Sequence, residues 1–133
     1  MANLFHVEVL TPEKHVLAGE IVHVRAPGTS GDFGVLAFHT PMVAGLRAGR
    51  LSIDFADHTE IFAIGGGYFT VENNRVIVLA ETCVRKQEID AAAARKEKQE
   101  AQVKLDHAET PGEREFARAQ LQRATALLQV AEL

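Results

Sequence analysis

Between Leu4 and Arg85 the apolar residues mostly fall at every second position. In LFHVEVL, Phe5, Val7 and Val9 share one face while His6 and Glu8 share the other. In EIVHVRA, Val22 and Val24 alternate with Ile21, His23 and Arg25, and in RLSIDF, Leu51, Ile53 and Phe55 alternate with Ser52 and Asp54. A period of two marks strands with one buried face. TEIFAIG and RVIVLA instead carry apolar residues on both faces. Turn residues punctuate the runs at Pro12 to Lys14, Gly19, Pro27-Gly28, Ala56 to His58 and Asn73-Asn74. The two asparagines tolerate positive φ and predict a two-residue hairpin between GYFTVE and RVIVLA. Many short, evenly spaced strands predict an antiparallel β-sandwich or flattened barrel.

After Ile89 the period changes. Residues 90–108 are rich in Ala, Lys, Glu and Gln and contain neither glycine nor proline, which is helix composition. A break follows at Thr110-Pro111-Gly112-Glu113: Thr110 can cap a second helix, Pro111 fits its first position, and Glu113 completes a capping box. In that helix Ala117, Leu121, Ala124, Leu128 and Ala131 recur at four-three spacing, a heptad-like seam. The first helix offers Ile89, Ala94, Ala101, Leu105 and Ala108. Burying a Leu stabilises by roughly 1.5–3 kcal/mol and an Ala by much less. A hairpin built on such small residues is marginal alone and suited to leaving its docking surface. The reading divides the chain into a β-domain, residues 1–87, and a helical arm, residues 88–133.

Composition adds boundaries. The 133 residues suit one domain with an appendage, and the net charge of −4 gives no reason to expect nucleic acid as a partner. Lys and Arg number 7 against 9 acids in residues 1–87, and again 7 against 9 in residues 88–133, so charge does not divide the chain. The single Cys83 excludes an internal disulfide and suggests a reducing compartment. The start MANLFHVEVL does not read as a signal peptide, and the apolar runs fall far short of the ~20 residues that span a bilayer. A soluble protein is expected.

Candidate chemistry is sparse. GTSGDFG lacks the Gly-Lys-Ser/Thr ending of a phosphate loop, and GGGYFTV lacks dinucleotide-binding spacing, so Gly65, Gly66 and Gly67 are read as a bulge or close strand contact. The six histidines form no H-x-x-x-H pair and have no cysteine partner, which argues against a metal site. His39 is open to three readings: a strand-end residue bonded to backbone, an interface residue, or a catalytic base working with Asp32 or Glu81. Asp32 sits at a glycine turn, where an exposed acid suits partner contact. Cys83 is read as core or near-core. No nucleophile, base and orienting group come together, so a hydrolase on a small β-sandwich is the weaker alternative, beside a β-domain adaptor with a coiled-coil arm.

An ordered set of motifs is more specific. Gly31, Gly34, Val35, Leu36, His39 and Pro41 spell Gly-x-x-Gly-aliphatic-Leu-x-x-His-x-Pro. Around it lie Thr-Pro-Glu at 11–13, GGYFTV at 66–71, VLAETC at 78–83 and Ile89-Asp90. Together with the layout of strands followed by two helices, this set resembles the epsilon subunits of bacterial F-type ATP synthases over essentially the whole chain.

The resemblance implies a β-sandwich of about ten strands followed by an antiparallel two-helix hairpin. It also implies a non-catalytic rotor component in the central stalk, on the cytoplasmic face of the bacterial inner membrane. Its partners would be the gamma subunit, the membrane c-ring and, with the arm extended, the alpha/beta catalytic head. The positions matching the c-ring contact are Ser30, Gly31, Asp32 and Phe33, expected in an exposed turn. Those matching the gamma contact are Thr11, His39, Thr40, Pro41 and Met42. An extended arm in this family hinders ATP hydrolysis, and Arg114, Arg118 and Arg123 would brace it against an acidic surface. Some members bind ATP through Ile-Asp-x-x-Arg-Ala. Here Ile89, Asp90 and Ala94 match, but Ala93 stands at the arginine, which removes the natural partner of phosphate oxygens. No cofactor is expected.

Overall fold

The computed structural model describes residues 3–133. Among these are eight strands: β1 (Phe5–Leu10), β2 (His15–Ile21), β3 (His23–Gly28), β4 (Gly31–Val35), β5 (Met42–Asp54), β6 (Thr59–Glu72), β7 (Arg75–Ala80) and β8 (Cys83–Arg85). A single 3₁₀ turn at Lys86–Glu88 leads to α1 (Ala91–Asp106), and α2 (Pro111–Ala131) follows.

Hydrogen bonding runs β2-β1-β7-β6-β5-β3-β4, with β8 also on β6. At 13 and 14 residues, β5 and β6 are long enough to serve both layers of a sandwich. Residues 42–46 pair with 67–71 and continue through β6 onto β7. Residues 48–54 pair with 59–65 and carry β3 on one side and β8 on the other. The ladder skips Arg47 and Gly66 between these halves, and Gly66 and Gly67 have φ of 106° and 145°. Such a mid-strand irregularity bends the strand and sharpens its twist. Two runs of the expected ten are thereby fused at each long strand, which leaves eight hydrogen-bonded strands.

The layers share one core. Phe5, Val7, Val9 and Ile21 from one side join Leu51, Ile53, Phe62 and Ile64 from the other, all fully buried. At ~25 cal/mol per Å² of apolar surface removed from water, this cluster is the main source of the domain's stability. The Asn73-Asn74 hairpin is present, with φ of 51° and 59° and Glu72 paired with Arg75.

Three local expectations need correction. The sheet is antiparallel except for β1 with β7, which run parallel because the rest of the domain provides the long crossover between them. EIVHVRA is not one strand: a bend at Val22 separates β2 from β3, so Ile21 and Val24 are both buried while Val22 is half-exposed. Gly19 lies inside β2 opposite Val7, and Pro27-Gly28 lies inside β3 opposite Asp32 and Gly31, so neither is a turn.

Both helices start on side-chain caps. Asp90 accepts the Ala93 N–H at 3.0 Å, and Thr110 accepts the Glu113 N–H at 3.1 Å with Pro111 in the first turn. The Glu113 carboxylate accepts from Glu109 N–H at 3.0 Å, so the capping box closes one residue earlier than its usual form. Ala94 and Ala101 of α1 and Ala117, Ala124 and Leu128 of α2 are buried, as the seam predicts, and Leu121 and Ala131 are half-buried. The seam misses a second buried row, Ala126 and Val130. That row exists because α2 is held between α1 and the sheet, against β5 and β6.

Candidate docking surfaces

The first surface is the β3–β4 edge. Thr29 and Ser30 form the turn, Gly28 pairs with Gly31, and Thr29 N–H donates to the Gly45 carbonyl at 3.0 Å. Ser30, Gly31 and Asp32 are exposed. The Asp32 carboxylate is already engaged by Arg47 of β5 in an ion pair about half open to solvent. Such exposed pairs contribute about 0–1 kcal/mol, so a partner can compete for either member. Phe33 departs from its expected exposed turn. It lies in β4 on the inward face with Val35, half-buried, edge-on to Phe69 with ring centroids 5.0 Å apart. Strand alternation past Gly31 turns Asp32 outward and Phe33 inward.

The second surface is broader. Thr11 Oγ1 accepts the Lys14 N–H at 3.3 Å and closes the β1–β2 turn. Thr40 and Pro41 are exposed, while the half-buried Met42 packs against the core. His39 donates through Nδ1 to the Thr40 carbonyl at 2.6 Å. With that nitrogen bound to backbone and Asp32 bound to Arg47, His39 and Asp32 are not arranged as a base and its orienting acid. Between these segments the register builds an outer row that motif reading missed. Val43 and Ile77 flank Thr70, Leu79 flanks Tyr68, and Leu10 follows beside Leu79. Val43 is 76% exposed, Tyr68 63% and Leu79 48%, an apolar strip joining Thr11 to Met42. The two-sided apolar pattern of RVIVLA was its signal. Phe38, 71% exposed, adjoins the strip's far end at φ 64°, its N–H held by Asn74 Oδ1 at 2.8 Å.

The arm lies folded on the sheet. Arg114 and Arg118 are exposed. Arg123, expected to be available with them, instead reaches Glu97 of α1 at 3.2 Å. Its stem runs over Gly65, where a Cβ would stand 3.5 Å from Arg123 Cδ and overlap Thr82 Oγ1. Asp90 serves as the α1 cap, Ile89 is half-buried, and Ala94 is buried. None of the three lines the cavity of about 190 Å³ between the arm and the sheet, whose walls are Ala63, Ile64, Thr82, Val84, Leu127 and Arg123. Its one cation is held by Glu97, and its other walls are almost entirely apolar, so it does not suit a triphosphate. Among the described residues no cluster of three His, Cys, Asp or Glu side chains is arranged to hold a metal.

Cys83 is half-buried, and burial pushes its thiol up to about 11. Since the thiolate is the reactive form, Cys83 should react slowly with thiol reagents at pH 7 to 9 and quickly once the chain is unfolded in urea. Stoichiometric labelling of the native protein within seconds at pH 8 would contradict this placement.

Comparison with known proteins agrees with this architecture. Residues 4–86 match the beta-sandwich domain of the ATP synthase delta/epsilon chain, and residues 87–132 match its long alpha-helix domain. An ATP synthase epsilon chain of Nitratidesulfovibrio vulgaris is 38% identical over 130 residues, covering 98% of this chain and 97% of its own. One from Anaeromyxobacter dehalogenans is 41% identical over 126 residues, covering 94% and 96%. A chain in the Euglena gracilis mitochondrial ATP synthase structure of OSCP, F1 and c-ring shares the fold, with a TM-score of 0.84 at 21% identity, covering 98% of this chain and 82% of its own. No helix among the described residues is long and apolar enough to cross a membrane. Matched end to end by both domain models and by bacterial epsilon chains, the chain belongs to the ATP synthase delta/epsilon family, on its epsilon side.

Proposed function

We propose that this epsilon subunit is a rotor component that transmits c-ring rotation to the catalytic head through gamma. Gamma covers the strip of Val43, Tyr68 and Leu79 between Thr11 and the His39–Met42 segment, and the c-ring loops meet the edge at Ser30, Gly31 and Asp32. The observation that carries this reading is the strip itself. Three large apolar side chains from three adjacent strands stand open to water, as expected of an interface core lacking its partner. The arm is proposed as a conformational inhibitor of hydrolysis, docked in the state described and extended along gamma in the inhibitory one. Open clefts of about 340, 330 and 220 Å³ line its boundary with the sheet, so water reaches the margin of the docked interface. On this reading the protein is peripheral, on the cytoplasmic face of the bacterial plasma membrane, and held there by the complex.

The test is recovery of the tagged chain from its native membranes in mild detergent. Gamma, the alpha/beta head and the c-ring should co-elute with it. In the same preparation, Asp32→Asn should leave the subunit folded and bound to gamma, because only an exposed ion pair is lost. Proton pumping driven by ATP should fall relative to hydrolysis. Recovery without a rotary ATPase would defeat the whole reading, and normal pumping by Asp32→Asn would remove the c-ring assignment of that edge.

A further inference from the structure

The apolar strip ends in a groove. Leu10, Thr11, Pro12, Tyr68, Leu79 and Glu81 surround a space of about 330 Å³ floored by Gly67 and Ala80. Tyr68 and Leu79 stand up beside a floor that is kept low, because no side chain fits at Gly67. Glu81 is exposed at the groove's rim. Its N–H donates to the Gly66 carbonyl at 2.9 Å, which fixes it to the bulge. Its Oε2 lies 4.0 Å from where a Cβ on Gly66 would stand, so the carboxylate leans over the glycine floor. Among the described residues no cation pairs with it, although Asp32, Glu60 and Glu97 each have an arginine partner.

We infer that this groove receives an apolar side chain of gamma whose immediate neighbour is a lysine or arginine, the cation pairing with Glu81. The inference rests on the proposed gamma contact of the strip and adds the chemistry that gamma must present there. A partner that covers Tyr68 and Leu79 also takes Glu81 out of water. A carboxylate desolvated without a cation or donors is costly, so a productive partner supplies one. The wider charge agrees: Glu8 and Glu72 on the outer face and Glu13 in the β1–β2 turn add acids to Glu81, against Arg75 and Lys14. A second copy docking through the same patch would bring matching carboxylates together, which argues against self-association as the occupant.

The test measures affinity between the chain and catalytic core complex depleted of it, at low and high salt. Tyr68→Ala and Leu79→Ala should each weaken binding by roughly 10- to 100-fold, as buried anchors do. Glu81→Lys should weaken it by about tenfold or more at low salt, and Glu81→Gln by less with a flatter salt dependence. Glu72→Lys, at the hairpin end of the same face, should change affinity less than threefold at about 0.15 M salt, where charges more than about 8 Å from the groove are screened. Unfolding midpoints near that of the parent establish that each variant is folded. If Tyr68→Ala and Leu79→Ala bind like the parent, the strip is not the gamma contact and the functional reading of this face fails. If they weaken binding while Glu81→Lys does not, or if Glu72→Lys matches Glu81→Lys, the local cation pairing alone is overturned. A dimer of the isolated chain that Tyr68→Ala dissolves would assign the groove to a second copy and overturn it as well.

Discussion

Removal of residues 88–133 should raise ATP hydrolysis by the assembled enzyme severalfold and leave synthesis largely intact. The truncated chain should fold, because every strand is complete by Arg85 and the core cluster draws only on residues 5–83. Both proposed docking surfaces stay with it. What is lost is α1 together with a helix of 21 residues, α2, about 30 Å long at 1.5 Å per residue, enough to reach well along gamma. Arg114 and Arg118 are the cations it already exposes. A severalfold release corresponds to about 1 kcal/mol in the barrier, in line with a few screened charge contacts. Neutralising Arg114 and Arg118 together should reproduce part of the release, and high salt should narrow the gap between parent and variant. Arg123 is a poorer probe, since its loss also breaks the pair with Glu97 that ties α2 to α1. Equal hydrolysis by intact and truncated complexes, with inhibitory ADP removed, would give the arm some other role.

The docked state described is compatible with such a switch. On the sheet side α2 buries Ala126 and Val130 and half-buries Leu127 beside Ala63, Ile64 and Val84, and one fully buried valine or leucine is worth roughly 1.5–3 kcal/mol. The Arg123–Glu97 bond lies within the hairpin. It therefore does not oppose the hairpin's departure as a unit, but it does oppose separation of the two helices. The contact is made by few and mostly small side chains, with open clefts at its margin.

Periodicity made much of the fold legible. β1 and the second half of β5 bury the residues that alternation selects, and the Asn73-Asn74 turn and the Thr110 cap fall where their chemistry places them. Long-range packing supplied what was not legible. Nothing local marks β1 as a parallel neighbour of β7, or Val22 as a bend between two strands. Phe33 reads as an exposed aromatic in a glycine turn until Phe69, distant in sequence, is brought against it. The motifs read as the gamma contact, Thr11 and His39 to Met42, lie at the two ends of the proposed surface. They missed its middle because Val43, Tyr68 and Leu79 sit on separate strands and become one strip only through register. Arg123 illustrates the same limit: its charge is plain in the sequence, its engagement by Glu97 is not.

The bulge that organises this surface leads to the largest expected loss of stability. Gly67 has φ of 145°, a conformation open almost only to glycine. A Cβ there would be driven into the Leu79 carbonyl oxygen, 2.9 Å from its carbon and 3.0 Å from Ala80 Cα. These are backbone atoms of the paired strand, so no rotamer change relieves the overlap. Gly67→Ala should therefore destabilise the sandwich by about 3 kcal/mol or more, combining backbone strain with a displaced ladder. Gly112, in the first turn of α2, has open space around it and no positive φ. Gly112→Ala should be neutral or stabilise by up to ~1 kcal/mol, by restricting the unfolded chain. Urea titration of both variants under one protocol separates the cases, since any general intolerance of alanine would affect each. Displacing β6 at Gly67 also moves Tyr68 and the floor beside Glu81, so whatever Gly67→Ala protein does fold should bind the depleted core complex more weakly than Gly112→Ala does. A loss below about 1 kcal/mol for Gly67→Ala, less than the least such strain costs, would mean that the two halves of β6 do not meet in the bulge described.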